Sequence, residues 1–266
     1  MNTRNLGILA SLAIIAGARA ANAQTPADSP WGIAVYGGDT VSEAGSLRSP
    51  LSSTIPDLGT INPEFSGTSG TLSLDKLRYE DLFREDFATG LELNYSFSPN
   101  LQTYGRFGYA ALDGRTRRVG FLSTDALGGS GPLDARFADQ DNESLEVGSR
   151  YFWTTGTPWE PFAGIALGAT RLDALRAIYT TPDAAIDLTN VRFTRPATVF
   201  SQSLEAGVEF NPNTSFGVRF SAGADHLGTP PSADDPMLTE LGYDGSHDAE
   251  GRWTFPVAIA ASFHFG

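Results

Sequence analysis

The chain has 266 residues with 31 acidic against 18 basic side chains, a net charge of −13, and its length fits a single domain. That acidity excludes a nucleic-acid partner, which selects basic surfaces. With 0 Cys there is neither a disulfide framework nor a thiolate metal site.

Residues 1–23 read as a secretory signal peptide. Arg4 supplies the positive start, Leu6 to Gly17 the apolar stretch, and Ala21-Asn22-Ala23 an A-x-A cleavage site before Gln24. The apolar run is about a dozen residues, too short to cross a bilayer of about 30 Å as a helix. Removing Arg4 and Arg19 with it takes the net charge from −13 to −15. Residues 24–266 are expected to form one domain. No later segment approaches the length of apolar run that a membrane-spanning helix needs.

From Trp31 onward the pattern is alternation, and a strand sends successive side chains to opposite faces. Trp31, Ile33 and Val35 mark a first strand. Phe87, Leu91, Leu93, Tyr95 and Phe97 then oppose Gly90, Glu92, Asn94 and Ser96. Leu101, Phe107 and Tyr109 oppose Gln102, Tyr104 and Arg106. Leu145, Val147, Tyr151 and Trp153 oppose Glu146, Gly148 and Arg150. Pro161 to Leu172 is a Gly/Ala-rich strand whose faces the pattern does not assign. Phe200, Leu204, Ala206, Val208 and Phe210 oppose Ser201, Ser203, Glu205, Gly207 and Glu209. Phe216, Val218, Phe220 and Ala222 oppose Gly217, Arg219 and Ser221. The last strand sets Trp253, Phe255, Val257, Ile259, Ala261, Phe263 and Phe265 against Thr254, Pro256, Ala258, Ala260, Ser262 and His264.

The connections alternate in length. Ser98-Pro99-Asn100, Thr155 to Pro158 and Asn211-Pro212-Asn213 carry turn-forming residues. Long polar stretches lie at roughly 39–84, 114–142, 173–197 and 227–250, and Gly, Ser and Thr in 42–74 predict a mobile first loop. The strand count comes to eight. A soluble sandwich would also show alternating strands, with its apolar face inward. Three features favour a membrane barrel instead. The strands are long enough to cross a bilayer, about 9–11 residues. Aromatic residues gather at strand ends, and short turns oppose long loops. The expected fold is therefore all-β: an eight-stranded antiparallel up-and-down transmembrane barrel with short periplasmic turns and long extracellular loops.

Two hairpins repeat one design. Glu92 and Arg106 flank Pro99 by seven residues each, and Glu205 and Arg219 flank Pro212 in the same way. This symmetry predicts that each Glu lies opposite its Arg on paired strands. An Arg facing hydrocarbon at the midplane costs about 2–4 kcal/mol, so the polar face is expected to line the lumen. An interior of eight strands is only wide enough for side chains to fill it. Glu92, Arg106, Glu146, Arg150, Glu205 and Arg219 are then expected to form an ionic network. Two roles stay open: a gate or narrow ion path, or charges that satisfy one another.

On these residues the chain resembles the small bacterial outer-membrane barrels, the superfamily of the OmpA transmembrane domain, OmpX-like and opacity-type surface proteins. The resemblance implies residence in the bacterial cell outer membrane. It also implies outer-membrane lipids and lipopolysaccharide as surroundings. The ending Phe263-His264-Phe265 looks like the family's assembly signal. That implies the barrel-insertion machinery and periplasmic chaperones as partners during assembly. Two departures stand out: Gly266 follows the last aromatic, and Ala260 stands where the family often has glycine.

Some barrels of this size modify lipid A, so the histidines need weighing. Only His226, His247 and His264 could act as imidazole bases. Asp225 and His226 point to opposite faces, whereas Ser262 and His264 share one. Ser262-x-His264 reverses the His-x-Ser order of lipid A deacylases. Acidic clusters at Asp139, Asp141, Asn142 and Glu143, and at Asp234, Asp235, Asp244, Asp248 and Glu250, offer oxygen ligands without the spacing of a calcium loop. The expectation is a non-enzymatic barrel with no cofactor and a structural or surface-interaction role in the cell envelope. The alternatives are a narrow pore for ions or small solutes, and a lipid A-modifying hydrolase.

Overall fold

The computed structural model describes residues 30–60, 62–125, 128–181, 186–213, 215–233 and 249–265. The expected signal peptide, residues 1–23, lies outside them. In chain order the strands begin with β1 (Trp31–Ala44), β2 (Ser46–Arg48), β3 (Leu51–Ile55), β4 (Gly70–Leu74), β5 (Leu77–Arg78), β6 (Phe83–Ser98), β7 (Leu101–Gly114) and β8 (Thr116–Thr124). They continue with β9 (Gly129–Phe137), β10 (Gln140–Phe152), β11 (Trp159–Leu172), β12 (Arg176–Thr181), β13 (Ile186–Arg192), β14 (Ala197–Asn213), β15 (Phe216–Leu227) and β16 (Arg252–Phe265).

Eight of these close a barrel in the order β1-β16-β15-β14-β11-β10-β7-β6. Every neighbouring pair is antiparallel, and Trp31 opposite Phe265 closes the ring. Closure removes the unpaired edges that a bilayer does not tolerate. Alternation sorts the side chains as expected. Leu93, Phe107, Val147, Ile165, Leu204 and Ile259 stand exposed on the outer wall, while Glu92, Tyr104, Arg150, Ser203 and Arg219 are buried inside. The wall of β11, unassigned from sequence, turns Phe162, Ala166 and Thr170 inward and Ile165 and Leu167 outward.

The turns at Ser98–Leu101 and Phe152–Trp159 fall where turn chemistry placed them. The third does not. β14 runs through Pro212 to Asn213, with a register shift between Phe210 and Asn213, so the chain reverses before Phe216. Pro212 has no N–H to give a ladder, and it sits at this irregular end of the pairing.

The long connections differ most from expectation. They carry β2–β5, β8, β9, β12 and β13, and six of these strands form a second sheet in the order β13-β12-β9-β8-β4-β3. β8 continues β7 after one residue, Arg115, and β9 leads into β10, so the sheet rises from the barrel wall. Beneath it lies an apolar core including Leu47, Ile55, Leu58, Leu133, Phe137 and Phe193, all buried. The 42–74 stretch is part of that core rather than a mobile loop: Leu72 and Leu74 point in, while Thr71 and Ser73 do not.

Arg48 is the charged exception in this core, at 0% exposure. Its guanidinium donates to the Tyr179 hydroxyl at 2.9 Å, the Asp75 carbonyl at 2.9 Å and the Val119 carbonyl at 3.2 Å. One side chain thus ties three long connections together.

Candidate functional site

The lumen is filled by charge. Arg150, on β10, meets Glu92 of β6 through two parallel hydrogen bonds, both 2.6 Å. That bidentate fork is the strong form of the contact. Its Nε also donates to Glu205 of β14. Arg106 of β7 reaches Glu205 at 3.4 Å and Glu146 of β10 at 2.6 Å. Arg219 of β15 lies 3.0 Å from Glu92 and 3.9 Å from Glu209. The result is one ladder of alternating sign: Glu146, Arg106, Glu205, Arg150, Glu92, Arg219, Glu209.

All six residues expected in the network are in this ladder, but the pairing rule fails in part. Glu92 does lie opposite Arg106 in register, yet Arg106 bonds Glu146 and Glu205 instead. In the second hairpin Glu205 lies opposite Gly223, and Arg219 lies opposite Glu209. The displaced turn is the reason: symmetry about Pro212 is not symmetry about the reversal. Glu209 is the seventh member, and the register shift is what the sequence hid. Neutral donors complete the ladder. Tyr104 donates to Glu205 at 3.0 Å, Ser203 to Glu146 at 3.0 Å, and Ser262 to Glu209 at 3.1 Å. The Arg150 guanidinium also stacks on the Tyr104 ring at 3.8 Å.

Small residues make room for these long side chains. A Cβ on Gly164 would sit 2.9 Å from the Arg150 stem and 3.0 Å from Glu205, so glycine is what that close approach requires. Against the ladder lies a chamber of about 150 Å³, lined by ladder residues such as Glu92, Arg106 and Arg219 and by Tyr36, Asp225 and Thr254, among others. Towards the end that carries the long connections, Leu172, Val199 and Leu227 of the neighbouring strands β11, β14 and β15 pack together. Arg252 lies 3.6 Å from Glu43 and 5.5 Å from the centre of the Tyr79 ring at the same level. The lumen is therefore filled by charge in its middle.

Comparison with solved structures finds outer-membrane barrels at low sequence identity. The neisserial surface protein NspA matches at 9% identity and TM-score 0.44, over 89% of this chain and 98% of that one. The outer-membrane protease OmpT from Escherichia coli matches at 10% identity and TM-score 0.42, over 92% and 99%. Ail, the attachment invasion locus protein of Yersinia pestis, matches at 13% identity and TM-score 0.36, over 88% and 99%. No family model and no curated protein matches the chain.

The other candidate chemistry is dispersed. His226 packs on Trp253, ring centres 4.8 Å apart, and lies 3.3 Å from Gln202, while Asp225 faces the chamber. The Ser262 hydroxyl is turned to Glu209. His247 lies outside the described residues. Of the first acidic cluster, Asp139 accepts from the Gly114 N–H at 2.9 Å, Asn142 is buried in the lumen, and Glu143 is exposed 3.8 Å from Arg171. Strand alternation turns Asn142 inward, away from Asp141 and Glu143, which stay exposed. Of the second cluster, Asp234, Asp235, Asp244 and Asp248 lie outside the described residues. Among the described residues no group of three or more His, Asp or Glu could hold a metal ion. Phe263 packs on Phe216 of β15 at 5.3 Å, and at the closing seam Phe265 stands half-exposed beside Trp31 in register.

Proposed function

We propose that this chain is a non-enzymatic outer-membrane protein whose closed barrel serves as an anchor for a rigid sheet displayed outside the cell. One observation carries the reading: seven alternating charges fill the lumen while the long connections bury an apolar core of their own. A barrel built to conduct would leave water beside its charges, yet Glu92, Arg150 and Arg219 are at most 4% exposed. A barrel with plain loops would have no apolar residues to bury above its rim. On this reading the short turns face the periplasm, and the sheet stands in the extracellular space with a structural or surface-interaction role. Outer-membrane lipids surround the wall, and the barrel-insertion machinery and its chaperones handle the Phe263–Phe265 end.

The chamber beside the ladder, lined by Glu92, Arg106 and Arg219 among others, favours a second reading, a narrow pore for ions or small solutes. Single-channel recording in planar bilayers separates the two. The anchor reading expects no steady openings from the mature protein. Regular openings whose conductance changes in Glu92→Ala would replace it with the pore. The third reading, a lipid A hydrolase, is tested by mass spectra of lipid A from cells with and without the protein. A product peak lost in His264→Ala would establish it.

A further inference from the structure

An eight-stranded barrel is only wide enough for side chains to fill it, so a chamber inside one needs a cause. Here the cause is a register row of small residues. Ala110, Ala88, Gly38 and Ala258 lie side by side on β7, β6, β1 and β16, and all four line the chamber. None of them reaches inward by more than a methyl group. The hollow measures about 150 Å³, room for a molecule of about six heavy atoms.

The rest of the lining includes a charge without a counter-ion. Asp225 of β15 lines the chamber, between Ser203 and Thr254 in register. Glu43, Glu92, Glu146, Glu205 and Glu209 each have an arginine within ion-pair reach, whereas among the described residues Asp225 has no basic partner. The arginines that line the same chamber are committed elsewhere: Arg106 to Glu146 and Glu205, and Arg252 to Glu43. Ser203 gives its hydroxyl to Glu146 at 3.0 Å. A carboxylate drawn out of water is costly unless it is paired, so this one calls for a positive group from outside the chain.

The lining also narrows the occupant. A metal ion needs several oxygen ligands at once, and among the described residues no group of three or more His, Asp or Glu could hold one. An ammonium group needs one carboxylate and a few neutral acceptors for its three donors. Tyr36, Ser144 and Thr254 bring oxygens to the same chamber. The row of small residues offers apolar surface to a short alkyl chain. From this arrangement we infer that the chamber is a binding site for a small primary alkylammonium, with Asp225 as its counter-ion and the row from Ala110 to Ala258 as the seat of its chain. The inference is independent of the anchor reading, because the site holds its occupant whether or not the barrel conducts.

The test titrates the mature, folded protein in nanodiscs of zwitterionic lipid at pH 8, followed by calorimetry. The probes are n-butylammonium, n-butanol and butyrate, which share one chain length and differ in charge. Butylammonium should bind at least about tenfold tighter than either of the others. It should also raise the urea midpoint of the protein. Asp225→Asn removes an unpaired charge, so it should fold as well as the native chain, as checked by heat-modifiable gel mobility. It should bind butylammonium no tighter than butanol and lose the shift in midpoint. Ala258→Leu fills the hollow without touching Asp225 and should weaken butylammonium by about tenfold. If Asp225→Asn does not fold, Ala258→Leu decides alone, and unchanged binding there overturns the inference. Equal binding of butylammonium and butanol, tighter binding of butyrate, an unchanged preference in Asp225→Asn, or no binding of any probe overturns it as well. Channel openings in a protein that keeps the preference replace the anchor reading and leave this inference standing, so the two failures are distinguishable.

Discussion

In the barrel Glu92 and Arg150 are buried while Leu145 and Val147 face outward; in the sheet Leu133 and Phe137 are buried while Asp134 and Arg136 face outward. The same two-residue alternation serves both regions, and only the solvent is reversed. Hydrocarbon around the wall makes an outward apolar face cheap and an outward charge costly. Water around the sheet makes the opposite sorting favourable. β7 and β8 show the exchange along one continuous stretch. Phe107 on β7 is exposed and Tyr104 buried, whereas after Arg115 it is Val119 and Leu122 that are buried. A strand can therefore leave the membrane without changing its backbone, provided it changes which face carries the apolar residues.

The comparison is broken most severely by removing a charge from the lumen. Arg150→Ala leaves Glu92 and Glu205 buried without their shared partner, and breaking a buried pair costs about 3–5 kcal/mol. Urea unfolding in detergent should show the loss as a lower midpoint for the barrel. Adding Glu92→Gln, which removes one stranded charge, should restore part of it. In the sheet the same violence needs an apolar residue. Phe193 is fully buried against Phe137 and Tyr179, and Phe193→Ala should cost about 3–5 kcal/mol. The expected signature is local: faster proteolysis in the long connections with the heat-modifiable gel shift of the barrel unchanged. A smaller effect is expected for a charge placed on the wrong side. Val147 is 69% exposed on the wall, and Val147→Arg should cost about 2–4 kcal/mol in a bilayer. In detergent micelles, which deform around the charge, the loss should shrink. An equal loss in both would mean that the wall does not meet hydrocarbon.

How much of this was legible depended on contrast between faces. The barrel strands, 12 to 17 residues long, set aromatic and aliphatic side chains against Glu, Arg, Ser and Gly. No composition rule can mistake that for a loop. In β4 the same alternation is only five residues long, Leu72 and Leu74 against Thr71 and Ser73. Ser and Thr on the watery face are also what loops are made of, so a sheet outside the membrane imitates a loop in composition. β9, with Leu133, Ala135 and Phe137 against Asp134 and Arg136, held the clearer signal. In the lumen, residue types sufficed to gather six of the seven ladder charges, because a charge in that wall has only one side to go to. Partners did not follow from types. Arg106 lies opposite Glu92 yet bonds Glu146, since a long side chain reaches across a narrow interior to acceptors that register does not predict.

Arg48 offers the finest test, because among the described residues it is the charge buried in the apolar core of the long connections, as the barrel buries its own. The barrel pairs its arginines with carboxylates. Arg48 instead gives its donors to a phenol and two carbonyls. Arg48→Met keeps the apolar stem and removes those donors, leaving buried acceptors unmatched at a cost of about 1–3 kcal/mol. The loss should appear as proteolysis in all three tied connections at once, and cleavage confined to one of them would show that the ties are independent. Tyr179→Phe removes the phenol alone and should cost less. It should also change the response to alkali. Burial pushes the Tyr179 phenol above its ordinary value of 10.0, with Arg48 pulling the other way. A raised folded value means that the protonated phenol's contribution is intact below pH 10.0 and is lost as pH rises through the raised value. The native sheet should therefore loosen in strong alkali sooner, relative to its stability at neutral pH, than the Phe variant. If both lose protease resistance in parallel, Tyr179 does not titrate with the opening of the sheet, and Arg48 holds the connections through the two carbonyls alone.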